Sequence, residues 1–174
     1  MAKWPLRVRV TIFLAYVVLI FSLLPFGRAI AIEIRHHGVL SNGVYALTGA
    51  IVLIFFVNVR QAWKRSPVYA IVLACSILAA TISMFFTLNL PEERLHFVEY
   101  GFLGYLCGWM LSSNGAQYIP WRKKAPGFLL AFSIGLMDEI VQGILPMRVF
   151  DLHDIFWNTV SSWLGLWTYY AGKQ

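Results

Sequence analysis

The fold class predicted for this chain is all-α, a polytopic transmembrane bundle of about six helices. Three observations predict it. Hydrophobic residues make up 59% of the 174 residues and charged ones only 13%, where soluble chains carry roughly 25% charged residues. Apolar runs near the bilayer-spanning length of about 20 residues recur along the chain. The few acids are also concentrated: of eight, four (Asp138, Glu139, Asp151 and Asp154) fall in the stretch that ends at Asn158.

The elements follow in order. Lys3, Arg7 and Arg9 precede an apolar run from Val10 to Pro25. This resembles a signal peptide, but Arg28 lies beside the small residues Ala29 and Ala31 that would mark the cut, so an uncleaved first helix is the better reading. From Arg28 to Asn42 the composition is mixed (Glu33, Arg35, His36, His37), which predicts a short interfacial helix and loop closed by a Ser41-Asn42-Gly43 turn. A second span covers Val44 to Val59, and Pro67 opens a third from Val68 to Leu90. Pro91 suits the first turn of a fourth helix, with Glu92 and Glu93 at its positive dipole end. That helix is expected to end near Ser113-Asn114-Gly115. A basic loop holding Arg122, Lys123 and Lys124 leads to a fifth span, Gly127 to Leu145, closed by Pro146, and the sixth runs from about Asp154 to Tyr170. The whole chain, 1–174, reads as a single membrane domain.

Charge sets the orientation. Alternating the spans leaves ten of the fourteen Lys and Arg on the side of both termini, and only Arg28, Arg35, Arg94 and Arg148 on the other. The positive-inside rule then places both termini in the cytoplasm, in a cytoplasmic (inner) membrane. The net charge of +6 belongs to loops facing anionic headgroups, and no basic stripe with interleaved aromatics indicates a nucleic-acid partner. Cys75 and Cys107 lie mid-span as small packing residues, without a metal or disulfide pattern.

Within three helices the polar residues fall on faces. His96, Glu99 and Tyr100 stand at i, i+3, i+4, Asp138 and Gln142 at i, i+4, and Asp151, Asp154 and Asn158 at i, i+3, i+7, whereas Glu139 points about 100° from Asp138. A charge at mid-bilayer costs at least about 2.5–3.5 kcal/mol, so such groups face a partner or water. These stripes predict one outward-opening pocket between spans four, five and six. Gly101, Gly104 and Gly108, with Ser161, Ser162 and Gly165, supply small-residue faces that predict close packing of spans four and six in preference to a dimer seam.

The pattern Arg94-x-His96-x-x-Glu99-Tyr100, then Asp138-Glu139-x-x-Gln142, then Arg148, Asp151, Asp154 and Asn158 resembles the VanZ-like family of small integral membrane proteins. The resemblance covers roughly 93–166; the first three spans share only hydrophobicity with it. Arg94 stands where lysine is common in the family, which alters the geometry of any anion contact. The family's name derives from glycopeptide (teicoplanin) resistance, so membership implies an envelope setting without a reaction.

The residue types suit several chemistries. Asp138, Glu139, Glu99 and His96 are the candidate acid–base groups, since His titrates near neutrality. Arg94, Arg148, Gln142 and Asn158 are candidates for holding a substrate anion. Asp138, Glu139, Asp151 and Asp154 offer the oxygens that a divalent cation such as Mg²⁺ prefers. The expected ligand is a membrane lipid or lipid-linked envelope precursor, and the pocket either binds it or modifies it. Two other readings stay open: a non-catalytic scaffold or assembly factor tied together by ion pairs, and a small proton-coupled transporter. The inner halves of spans four to six offer a transporter only Ser133, Ser161 and Ser162 as a polar route.

Overall fold

The computed structural model describes residues 4–36, 39–64, 66–87, 91–112, 121–146 and 148–172. These form six helices: α1 (Leu6–His36), α2 (Val39–Trp63), α3 (Pro67–Thr87), α4 (Pro91–Leu111), α5 (Trp121–Ile144) and α6 (Leu152–Ala171). The turn expected at Ser113-Asn114-Gly115 lies outside the described residues, as do His37 and the side chains of His36, Glu92 and Glu93. All described elements are helical, as expected of a chain whose backbone must satisfy its own hydrogen bonds in hydrocarbon.

Three stretches among the described residues are long and apolar enough to cross a membrane: Leu6–Phe26, Pro67–Met84 and Lys124–Ile144. Large apolar side chains such as Leu53, Val68, Phe86 and Ile144 are exposed along the bundle, a surface suited to lipid and costly in water. α4 and α6 carry more polar residues and make the most extensive helix–helix contact in the molecule.

The packing register fixes the helix directions. Tyr100 and Gly101 meet Ser161 and Ser162, while Gly108 and Ser112 meet Tyr169. Rising residue numbers match on both sides, so α4 and α6 run parallel. α5 runs antiparallel to both: Gly135 faces Tyr100 and Asn158, and Gly127 faces Cys107 and Leu166. Glycine and serine make the α4–α6 approach possible. A Cβ on Gly104 would run into the backbone carbonyl of Ser162, and one on Gly165 into that of Gly101. Ser162 Oγ donates to the Tyr100 carbonyl at 3.2 Å across the same seam. The small-residue faces are therefore an intramolecular interface.

Four sequence boundaries shift. α1 runs unbroken through Pro25 to His36, because proline removes one helix bond and an apolar medium penalises unwinding far more. At 31 residues it is about 46 Å long, beyond the roughly 30 Å hydrocarbon core, so its charged end with Glu33 and Arg35 extends past that core as helix and not as a loop. Ser41-Asn42-Gly43 lies inside the start of α2 instead of forming a turn. Arg122 and Lys124 belong to the first turns of α5, with Pro126 inside it. Lys124 is buried there, its ammonium 5.3 Å from the Tyr170 ring and 6.0 Å from Tyr69, a cation–π setting that offsets its unfavourable place near a helix N-terminus. α6 begins at Leu152 behind an Asp151 cap. Cys107 is a core residue, whereas Cys75 is exposed on the outer face of α3.

Gly165→Ala must push backbone against backbone, and overpacking of this kind costs typically about 1–3 kcal/mol or more. Gly49→Ala meets nothing within 4 Å and should stay within about 0.5 kcal/mol of the parent. Thermal unfolding in detergent should show a clear loss of Tm for the first and none for the second.

Candidate functional site

The polar residues of α4, α5 and α6 converge at the end of the bundle where α4 and α6 begin. Asp138 and Glu139 are both 0% exposed, and Gln142 and Asn158 are 2% exposed. One amide ties the two acids together: Gln142 Nε2 donates to Asp138 Oδ2 at 3.1 Å and to Glu139 Oε1 at 3.0 Å. Positions i−4 and i−3 both lie under residue i on a helix, so Glu139 joins the cluster and does not point away from it. The Gln142 carbonyl oxygen accepts from Arg148 Nη1 at 3.2 Å, and Arg148 Nη2 reaches the Leu24 carbonyl of α1 at 3.5 Å. The second Glu139 oxygen, Oε2, accepts the backbone N–H of Asp151 at 3.3 Å. Gln142, Glu139 and Arg148 thus bind the end of α5 to the start of α6.

Asp151 itself is exposed, and its carboxylate accepts the His153 N–H at 2.8 Å as an N-cap, the role its residue type favours. His153 accepts from Trp157 Nε1 at 3.1 Å. On α4, His96 Nδ1 stands 3.5 Å from Glu99 Oε2, their side chains 16% and 26% exposed. The charges of Glu99, Asp138 and Asp154 all reach His96, and that of Asp154 also reaches Glu139. Arg94 and Asp154 are half-buried near the starts of their helices. The cluster therefore grades from a buried floor (Asp138, Glu139, Gln142, Asn158) to a half-buried rim (His96, Glu99, Asp154).

Three atoms of the cluster are buried without a hydrogen-bond partner among the described residues: both amide atoms of Asn158, and Arg148 Nε. Such groups cost roughly 1–3 kcal/mol each when left unmade. Tyr100 and Asn158 both pack on Gly135, one turn before Asp138, and the Tyr100 hydroxyl is paired with the Asp138 carboxylate. The Asn158 amide thus holds one donor and one acceptor that suit a ligand carrying both hydroxyl and oxyanion groups.

Two expectations meet a different arrangement. Asp138 and Glu139 lie under cover and do not line an open basin, and the two prominent cavities, of about 440 and 540 Å³, are walled by apolar side chains elsewhere on α6. Among the described residues no three His, Cys, Asp or Glu side chains form a metal-holding group; the Asp151 carboxylate is occupied by its own helix.

A second polar cluster, absent from the sequence reading, sits at the opposite end. Arg9 of α1 is 7% exposed, and its Nη1 donates to the carbonyls of Trp109 (2.9 Å) and Ser112 at the end of α4. Tyr169 Oη donates to Ser112 Oγ at 2.6 Å. Arginine here satisfies the carbonyls that a helix C-terminus leaves bare. In the sequence it is one of several basic residues before an apolar run, with no signal to separate it from Arg7.

Six described helices, an exposed apolar flank and an ionisable core define a polytopic membrane protein with a buried polar cluster. Residues 12–173 match the family described as VanZ/LLP1, and the chain belongs to that family. The match takes in the first three helices, which share only hydrophobicity with the family in the sequence reading. No curated protein and no solved structure gives a significant match.

Gln142→Leu leaves two adjacent buried carboxylates and Arg148 without their shared partner. It should lower stability by about 1–3 kcal/mol, read as a fall in Tm of the purified protein. Gln142→Glu, which adds a third acid, should lower it further.

Proposed function

We propose that this VanZ/LLP1-family membrane protein binds the polar headgroup of a cell-envelope lipid or lipid-linked wall precursor in the cluster between α4, α5 and α6. The observation that carries the reading is the Asn158 amide, buried with neither its nitrogen nor its oxygen bonded, next to the Tyr100–Asp138 pair. A cluster serving only to join helices would be expected to close its own hydrogen bonds. Arg94 and Arg148 supply positive charge for a phosphate or carboxylate. Modification of the headgroup, on this reading, falls to Asp138 or Glu139 as base, with the His96–Glu99 pair at the rim passing the proton.

The charge bias supports an inner-membrane orientation with both termini cytoplasmic, and on that orientation the rim faces the outer leaflet, where wall precursors are exposed. The glycopeptide-resistance role rests on kinship with the family. The scaffold reading draws support from the closed half of the network, in which Gln142, Glu139, Arg148 and the Asp151 backbone satisfy one another.

Mass spectrometry of lipids co-purified with the intact protein tests the proposal. A polar-headed lipid should be retained by the parent and fall about tenfold or more in Asp138→Asn and Asn158→Leu, the equivalent of losing roughly 1.4 kcal/mol of binding. Equal retention by both folded variants would leave the cluster a scaffold. Reporter fusions after Arg148 and after Arg122 should report opposite sides of the membrane; the same side for both would overturn the orientation.

A further inference from the structure

The larger cavity, of about 540 Å³, lies between α1, α2, α4 and α6 and is lined by Tyr16, Ala50, Phe97, Gly101, Tyr105 and Ser161, among others. It adjoins the polar cluster: Phe97 follows His96 in the chain, and Ser161 Oγ donates to the carbonyl of Asn158 at 3.2 Å. Three of its polar side chains, Ser161 among them, are bonded to main-chain carbonyls. Tyr16 Oη donates to the Glu99 carbonyl at 3.0 Å and Thr168 Oγ1 to that of Leu164 at 2.7 Å. What remains facing the space is hydrocarbon and aromatic surface. Phe102 and Ile54, 48% and 56% exposed, stand on the side open to lipid.

We infer that this cavity holds a hydrocarbon tail of the same membrane amphiphile whose headgroup enters the polar cluster. The inference rests on the headgroup reading and adds the class of ligand. Three observations support a tail over a second protein chain. The cavity begins at the depth of the rim, beside His96 and Glu99. From Phe97 to Tyr105 it follows α4 for about 12 Å, close to the roughly 15 Å of one leaflet's hydrocarbon. Its volume lies within the about 300–1,000 Å³ of small-molecule sites.

The test uses lysophosphatidic acid carrying a mid-chain diazirine, photolysed with the full-length protein in phospholipid nanodiscs. The probe should mark peptides covering 97–105 and 161–168, and unlabelled lysophosphatidic acid should compete this labelling away. Ala50→Trp, which fills the cavity from α2, should reduce it about fivefold or more; Ile54→Trp serves if the first variant does not fold. Labelling confined to lipid-facing positions such as Phe86 and Ile144, or labelling unmoved by competitor, would overturn the tail assignment. Loss of the co-purified lipid in Asp138→Asn alongside such a result would overturn the tail alone and leave the headgroup site standing.

Discussion

The close approach of α4 to α6 through Gly101, Gly104, Ser162 and Gly165 is the constraint on which the remaining arrangement depends. In lipid, helices gain little from hiding apolar surface against one another, so association rests on contact area and on bonds across the seam. The missing Cβ atoms let carbonyl oxygens of one helix sit against the Cα of the other. Because the two helices run parallel, this seam also sets a common depth. Tyr100 and Asn158, each close to the seam, are brought to the same level against Gly135 of the antiparallel α5. Asp138 then follows one turn along α5, so a packing decision made by glycine places the acids.

The two ends of this three-helix core solve the same problem with different residues. A helix leaves carbonyls bare at one end and N–H groups bare at the other, and neither is cheap near hydrocarbon. At the end of α4, Arg9 reaches in from α1 to hold the carbonyls of Trp109 and Ser112. At the start of α6, Asp151 caps its own helix while Glu139 accepts the Asp151 N–H. Glu139 therefore has a structural task that its neighbour Asp138 does not share.

The fold class, the helix number and the meeting of the polar stripes were legible because each rests on periodicity. Polar residues at helical spacing inside apolar runs have few places to go, and small residues at positions 101, 104 and 165 predict which helices touch. Two kinds of feature were not legible. Ends that depend on the surrounding medium misled, as at Pro25 and at Ser41-Asn42-Gly43, where residues that stop helices in water continue them here. Single long side chains also escaped notice: nothing in the sequence separates Arg9 from Arg7, or Lys124 from Lys123, because their burial is decided by partners about a hundred residues away for Arg9 and by rings on α3 and α6 for Lys124. Periodicity also misjudged Glu139, since one glutamine amide can span positions three and four residues back at once.

The cluster divides into two halves with different chemistry. In one half Gln142 uses both faces of its amide, Glu139 uses both oxygens, and Arg148 closes the chain to α1. That half explains how α5, α6 and α1 hold together, and it would do so without Tyr100 or Asn158. In the other half, Tyr100 and Asp138 pair with each other, while the Asn158 amide is buried with its hydrogen-bonding capacity unspent. Leucine at position 158 would pack the same seam without that penalty, because burying a polar group costs free energy unless it is bonded. Stability alone therefore accounts for the first half and argues against the second. What packing leaves unexplained at this end of the bundle is thus the Asn158 amide and not Glu139, whose two oxygens are both bonded.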